Sequence, residues 1–162
     1  MYGKNVVIVS CKRTCIGLLM GSLSNFSAVN LGSIAIRGAL ASTRLENSEI
    51  EEVIMGQALQ AASGQAPARQ AAIGAELSQS TPCTTINYGC ASGMKSVMLA
   101  AQMISCGQRK VVLAGGMESM TNTPHYMSIR EPIEYSHRQF VDCILLDNYT
   151  ERIENNDLHL GN

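Results

Sequence analysis

Thr84-Thr85-Ile86-Asn87-Tyr88-Gly89-Cys90-Ala91-Ser92-Gly93-Met94-Lys95 is the stretch on which the reading of this chain turns. Its first half is rich in β-branched residues and ends in a glycine turn, which reads as a strand. Its second half opens an apolar helix that runs on to Cys106-Gly107. A thiol at the start of a helix meets the positive end of the helix dipole, which favours the nucleophilic thiolate. Gly89, Ala91 and Gly93 leave room for a carbonyl to approach. Strand, turn, nucleophile and helix form a recurring enzyme device. Most cysteines, however, are buried packing groups, so Cys90 alone carries no assignment.

Outward from this stretch, the chain alternates strands and helices. Val6-Val7-Ile8-Val9-Ser10 is a continuous apolar run that predicts a buried parallel strand. Leu31, Ile34, Ala35, Ala39 and Leu40 recur at helical spacing over residues 28–42. Glu52 to Gly56 reads as a second strand, and Pro67 suits the first turn of a helix reaching Leu77. Thr81 to Asn87 is the third strand, Ser92 to Cys106 the third helix and Val111 to Ala114 the fourth strand. The order βαβαβαβ predicts an α/β layered sheet, parallel or mixed, with helices on both faces. Met94, Val97, Met98, Leu99, Met103 and Ile104 wrap the third helix, and Lys95 is its only charge. A helix apolar all round is a buried central helix, and one sheet from 162 residues cannot bury it on every side. Past Met120 the texture changes: Thr121 to Pro124 is turn chemistry, and residues 125–162 are polar, acidic and weakly periodic. Gln139 to Leu146 reads as one short helix.

Composition narrows the class. Hydrophobic residues make up 46% and charged residues 15%, which requires an ordered, buried globule. Residues 1–129 hold nine Lys or Arg against six Asp or Glu, and residues 130–162 hold three against seven. Neither part has a basic stripe interleaved with aromatics, so nucleic acid is excluded as the expected partner. No run is apolar and long enough to span a bilayer, so no membrane partner is expected. The six cysteines form no Cys-x-x-Cys pair and no metal-ligand spacing, so no metal is expected. The start of the chain reads as neither a signal nor an Arg-rich leader, which points to a reducing compartment, mitochondrial or cytoplasmic.

The motifs of this chain resemble those of the thiolase family. The likeness begins at Val6 to Ser10 with Arg13-Thr14 and continues through Gly64-Gln65-Ala66-Pro67-Ala68-Arg69-Gln70. It peaks at Cys90-Ala91-Ser92-Gly93-Met94 and at Ala114-Gly115-Gly116-Met117-Glu118-Ser119-Met120. Thr81 to Asn87 looks like the mitochondrial acetoacetyl-CoA type. The resemblance implies residues 1–120 as the thiolase N-terminal α/β domain and 121–162 as the beginning of a loop domain over the CoA pocket. A solvated tail is the equal alternative for that last stretch.

It also implies acyl transfer between acetoacetyl-CoA, CoA and acetyl-CoA, with Cys90 as the catalytic acyl-thioester nucleophile and coenzyme A as substrate rather than cofactor. His159 and Leu160 resemble a substrate-pocket His-Met-Gly segment and are the expected substrate-binding residues. His125 and His137 lie in polar stretches and read as exposed. The family's Gly-His-Pro motif, its second cysteine and its asparagine have no counterpart in these 162 residues. The expectation is therefore a chain incomplete relative to the family and inactive alone. The alternative is a truncated paralogue acting as an interaction module. Either would form a homo-oligomer or join full-length thiolase subunits. A ketoacyl synthase shares the fold and a helix-start cysteine, but the Gly-Gly-Met-Glu-Ser-Met run argues for thiolase.

Overall fold

The structure is a computed structural model that describes residues 5–129, 137–153 and 156–159. Three parallel strands form its centre: β1 (Glu52–Gly56), β2 (Cys83–Ile86) and β3 (Val112–Gly116), in the order β2-β1-β3. Three helices alternate with them: α1 (Ala28–Ala41), α2 (Pro67–Gly74) and α3 (Ser92–Ser105). Each was expected from the sequence within a few residues. Ser27 caps α1, its Oγ accepting the Asn30 N–H at 3.1 Å. Pro67 opens α2, where its missing N–H costs nothing.

Alternation along β1 divides the molecule into layers. Val53 and Met55 join Ile36 of α1 and Ala68, Ala71 and Ala72 of α2 in one core. The opposite face of the sheet receives α3. There the contact is made by small groups, and Ser92, Ser96 and Ala100 are the buried residues of the helix. A Cβ on Gly56 would stand 2.3 Å from the Ser92 carbonyl carbon, and one on Gly116 would stand 3.0 Å from Gly93 Cα. The first turn of α3 thus rests directly on the strand ends, a packing that only glycine permits. Ser96 Oγ fastens the next turn, 2.6 Å from the Gly115 carbonyl.

Three expectations need correction. Val6–Ser10 forms no strand: the segment lies unpaired, with Val7, Ile8 and Val9 69–78% exposed. The physical reason is the absence of a neighbour, since β3 pairs only with β1 and no ladder joins residues 5–10 to it. Residues 139–146 are not one helix either. They contain β5 (Val141–Asp142), paired antiparallel with β4 (His125–Tyr126), then two helical residues, 143–144, that lead into a π-helix at Leu145–Tyr149. Finally, α3 is buried on its small-residue face alone, and Met94, Val97 and Met98 stand exposed. Beyond these elements β6 (Thr150–Ile153) and β7 (Asn156–His159) form an antiparallel pair. No helix among the described residues is long and apolar enough to cross a membrane.

Candidate active site

Cys90 lies just past the carboxyl end of β2 and two residues before α3. Carboxyl ends of parallel strands are where open α/β sheets present their ligand sites. The side chain is exposed. The turn before it is built by local hydrogen bonds. Asn87 Oδ1 accepts the Gly89 N–H at 3.0 Å, and Ser92 Oγ accepts the Tyr88 N–H at 2.8 Å while donating to the Gly89 carbonyl at 2.6 Å. Gly89 adopts φ +54, the left-handed region, with open space where a Cβ would go. A glycine at this turn therefore answers a backbone demand. Tyr88 faces outward, and the Lys95 ammonium stands 5.5 Å from its ring centroid, a cation–π contact one helical turn from the thiol.

The turn is also tied across the sheet. Asn87 Nδ2 donates to the Ala58 carbonyl at 2.9 Å. The Ala58 N–H in turn donates to Glu118 Oε2 at 2.8 Å, and the Leu59 N–H reaches the same oxygen at 3.3 Å. One peptide unit after β1 thus links the loop that carries Cys90 to Glu118, two residues past β3. Burial raises the Glu118 pKa above the usual carboxylate value, against the lowering effect of those two N–H donors. Asn87 and Glu118 both lie within the motifs quoted above, and these bonds join them across the sheet. Their signal was faint: two polar residues flanking the carboxyl ends of predicted strands.

Other residues singled out by sequence divide clearly. Arg69 Nη1 donates to the Thr81 carbonyl at 3.1 Å, at the amino end of β2 and so at the end opposite Cys90. It holds α2 to the sheet. Gln65 offers its carbonyl to Gln70 Nε2 at 2.8 Å in the loop before α2. Burial pushes the Cys83 thiol up, and Arg69 only partly opposes this. Cys143 has no exposed surface, and burial together with its bond to Asp147 pushes its thiol to about 12. Cys11, Cys15 and Cys106 are exposed but lie outside this strand-helix junction. His125 is largely exposed, with Nε2 3.6 Å from Asp142 Oδ2, and His137 is exposed. His159 ends β7 opposite Thr150, and Leu160 lies outside the described residues. Among the described residues no group of His, Cys, Asp and Glu could hold a metal ion.

The family model for the thiolase N-terminal domain matches residues 6–161. The mitochondrial acetyl-CoA acetyltransferase of Xenopus tropicalis is 52% identical over 157 residues, covering 97% of this chain and 37% of the relative. The Homo sapiens mitochondrial acetyl-CoA acetyltransferase is 49% identical over 158 residues, covering 98% of this chain and 36% of its own length. A crystal structure of the Acat5 thiolase from Ascaris suum in complex with coenzyme A superposes with a TM-score of 0.86 at 39% identity, over 91% of this chain and 38% of that one. The chain thus spans a little over a third of the length of these relatives.

Proposed function

Because this chain belongs to the thiolase family, we propose that it supplies the nucleophile for acyl transfer between acetoacetyl-CoA and CoA. Cys90 Sγ attacks the keto carbon of acetoacetyl-CoA, the carbon–carbon bond breaks, and the acetyl group stays on sulfur as a thioester. The electron pair of the broken bond leaves on acetyl-CoA as an enolate, which must then take a proton. Free CoA thiol attacks the thioester and departs as a second acetyl-CoA. Coenzyme A is a substrate here and no cofactor is needed.

The single observation that carries this reading is the placement of Cys90. It is exposed at the carboxyl end of a parallel sheet, on a glycine turn that opens a helix seated on the strand ends. The names of the mitochondrial relatives and the CoA bound to the Ascaris suum thiolase support the substrate class. They also favour a mitochondrial setting over a cytoplasmic one. His159 and Leu160 remain proposed as substrate contacts.

The family's remaining motifs are not in this sequence, so the 162-residue polypeptide alone is expected to turn over no acetoacetyl-CoA. Joining these residues to the matching C-terminal remainder of the Xenopus tropicalis relative should give CoA-dependent cleavage. Cys90→Ser in that chimera should lower it by about a thousandfold or more. A folded chimera equally active with and without Cys90 would overturn the reading.

A second reading is favoured by the uncovered face of α3. Met94, Val97 and Met98 are exposed together, and β2 is an edge strand. An interaction module, pairing with itself or with full-length thiolase subunits, would cover both. Light scattering over a concentration series tests it. A monomer at every concentration, with no binding of a hydrophobic dye, would remove this reading.

A further inference from the structure

The ladder of the sheet ends where the turn that carries Cys90 begins. Its last rung between β1 and β2 is the Gln57 N–H on the Ile86 carbonyl, at 3.0 Å. In a parallel ladder the Tyr88 N–H is the next donor in line, for the Gln57 carbonyl. It is turned instead to Ser92 Oγ at 2.8 Å, and Gln60 Nε2 takes the Gln57 carbonyl at 2.9 Å. From that point a side chain continues the connection: Asn87 Nδ2 donates to the Ala58 carbonyl at 2.9 Å. On the other flank of β1 the last rung is the Met117 N–H on the Gly56 carbonyl, at 2.9 Å. There too a side chain takes over, because Glu118 Oε2 accepts the Ala58 and Leu59 N–H groups at 2.8 and 3.3 Å. Ala58-Leu59 is therefore clasped from both flanks at the carboxyl end of the sheet.

The two ends of the Asn87 amide do different things. Oδ1 accepts the Gly89 N–H at 3.0 Å, a local turn that fixes the residue before Cys90. Nδ2 fastens that turn to the peptide after β1. Asparagine carries an acceptor and a donor on one short, planar group. Aspartate would turn a lone pair on the Ala58 carbonyl and lose this second bond.

We propose that Asn87 is the positioning residue of the nucleophile and that Glu118 anchors it from the other flank of β1. The carboxylate holds Ala58-Leu59, that peptide holds the Asn87 amide, and the amide holds Gly89 and with it Cys90 at the head of α3. What Glu118 supplies is an acceptor atom rather than a charge, since one oxygen takes both N–H groups. The proposal rests on the reading of Cys90 as the nucleophile. It concerns where the thiol is held, so it is tested on the thiol itself and not through acyl transfer.

Iodoacetamide labelling of the whole chain at one neutral pH is the test. Cys106, exposed at the far end of α3, is the internal control. Asn87→Ala should slow labelling of Cys90 about threefold, the effect of drawing a thiolate away from a helix terminus, and leave Cys106 unchanged. Glu118→Ala should do the same. The double variant should be no slower than either single one, because both cut one connection. Glu118→Gln keeps the acceptor and should keep the wild-type rate. Should Asn87→Ala unfold, Asn87→Ser retains a hydroxyl for the Gly89 N–H, loses the reach to Ala58 and should still slow Cys90. Labelling of Cys90 that is unchanged or faster in the Asn87 variants would overturn the proposal. So would losses that multiply in the double variant, a Gln variant as slow as the Ala variant, or a parallel change at Cys106. A folded chimera with no acyl transfer, alongside the expected labelling pattern, would remove the catalytic reading and uphold the positioning.

Discussion

Val53-Ile54-Met55 and Val7-Ile8-Val9 are nearly the same sequence with opposite fates. The first is 0–3% exposed, and the second 69–78%. Composition does not separate them, because both are short apolar runs with high β-propensity. Neighbours do. The first run has β2 on one side, β3 on the other, α1 and α2 on one face and α3 on the other. The second has α1 beside its end and an open cleft where a strand would pair. Propensity makes a segment extended, but burial requires that something else arrive on each side.

Thiol labelling sharpens the contrast and should give its largest signal. Iodoacetamide should modify exposed Cys90 readily in the folded chain. Cys143, with no exposed surface and a thiol pushed to about 12, should react at least about a hundredfold more slowly. Both should label alike in denaturant. Fast labelling of Cys143 without denaturant would show that the layer around it is not formed. Slow labelling of Cys90 would show that its turn is covered.

Core deletion is next in size. Met55→Ala should cost about 2–5 kcal/mol in denaturant unfolding. Ile8→Ala, at a position 78% exposed, should stay within about 0.5 kcal/mol. Equal costs would break the comparison, because Val6 to Ser10 would then have to be packed in solution. Gly56→Ala should cost about 1–3 kcal/mol, because its new methyl meets the α3 backbone rather than a side chain that could swing away. It should also alter the labelling rate of Cys90, which rides on that first turn. Gly93→Ala has its nearest neighbour at 3.4 Å and should disturb Cys90 less.

The smallest effect is a pH dependence. Glu118 has a folded-state pKa raised above 4.5, chiefly by burial. Its protonated form is therefore favoured by folding. That contribution is fully present below the unfolded value and is lost as pH rises through the folded one. Wild type should lose a little stability across that window, and Glu118→Gln should lose less. A wild type that gains stability there relative to the Gln variant would mean that the N–H donors of Ala58 and Leu59 outweigh burial.

The alternation of β1, α2, β2, α3 and β3, the position of α1, and Cys90 at the head of α3 were all readable from the chain alone. These features are local: a period of two or 3.6 residues, a proline at a first turn, a glycine before a nucleophile. The likeness to thiolases was readable for the same reason, since its motifs are short and contiguous. What tertiary structure decided was every matter of which distant residues meet. It left Val6 to Ser10 without a pairing strand and split Gln139–Leu146 between a strand pair and a helical segment. It also made Gly56 and Gly116 the floor beneath Ser92 and Gly93, and joined Asn87 to Glu118 through one peptide after β1. A run of side chains specifies its own backbone preference, but pairing and close approach depend on residues dozens of positions away, and those are settled only when the layers close.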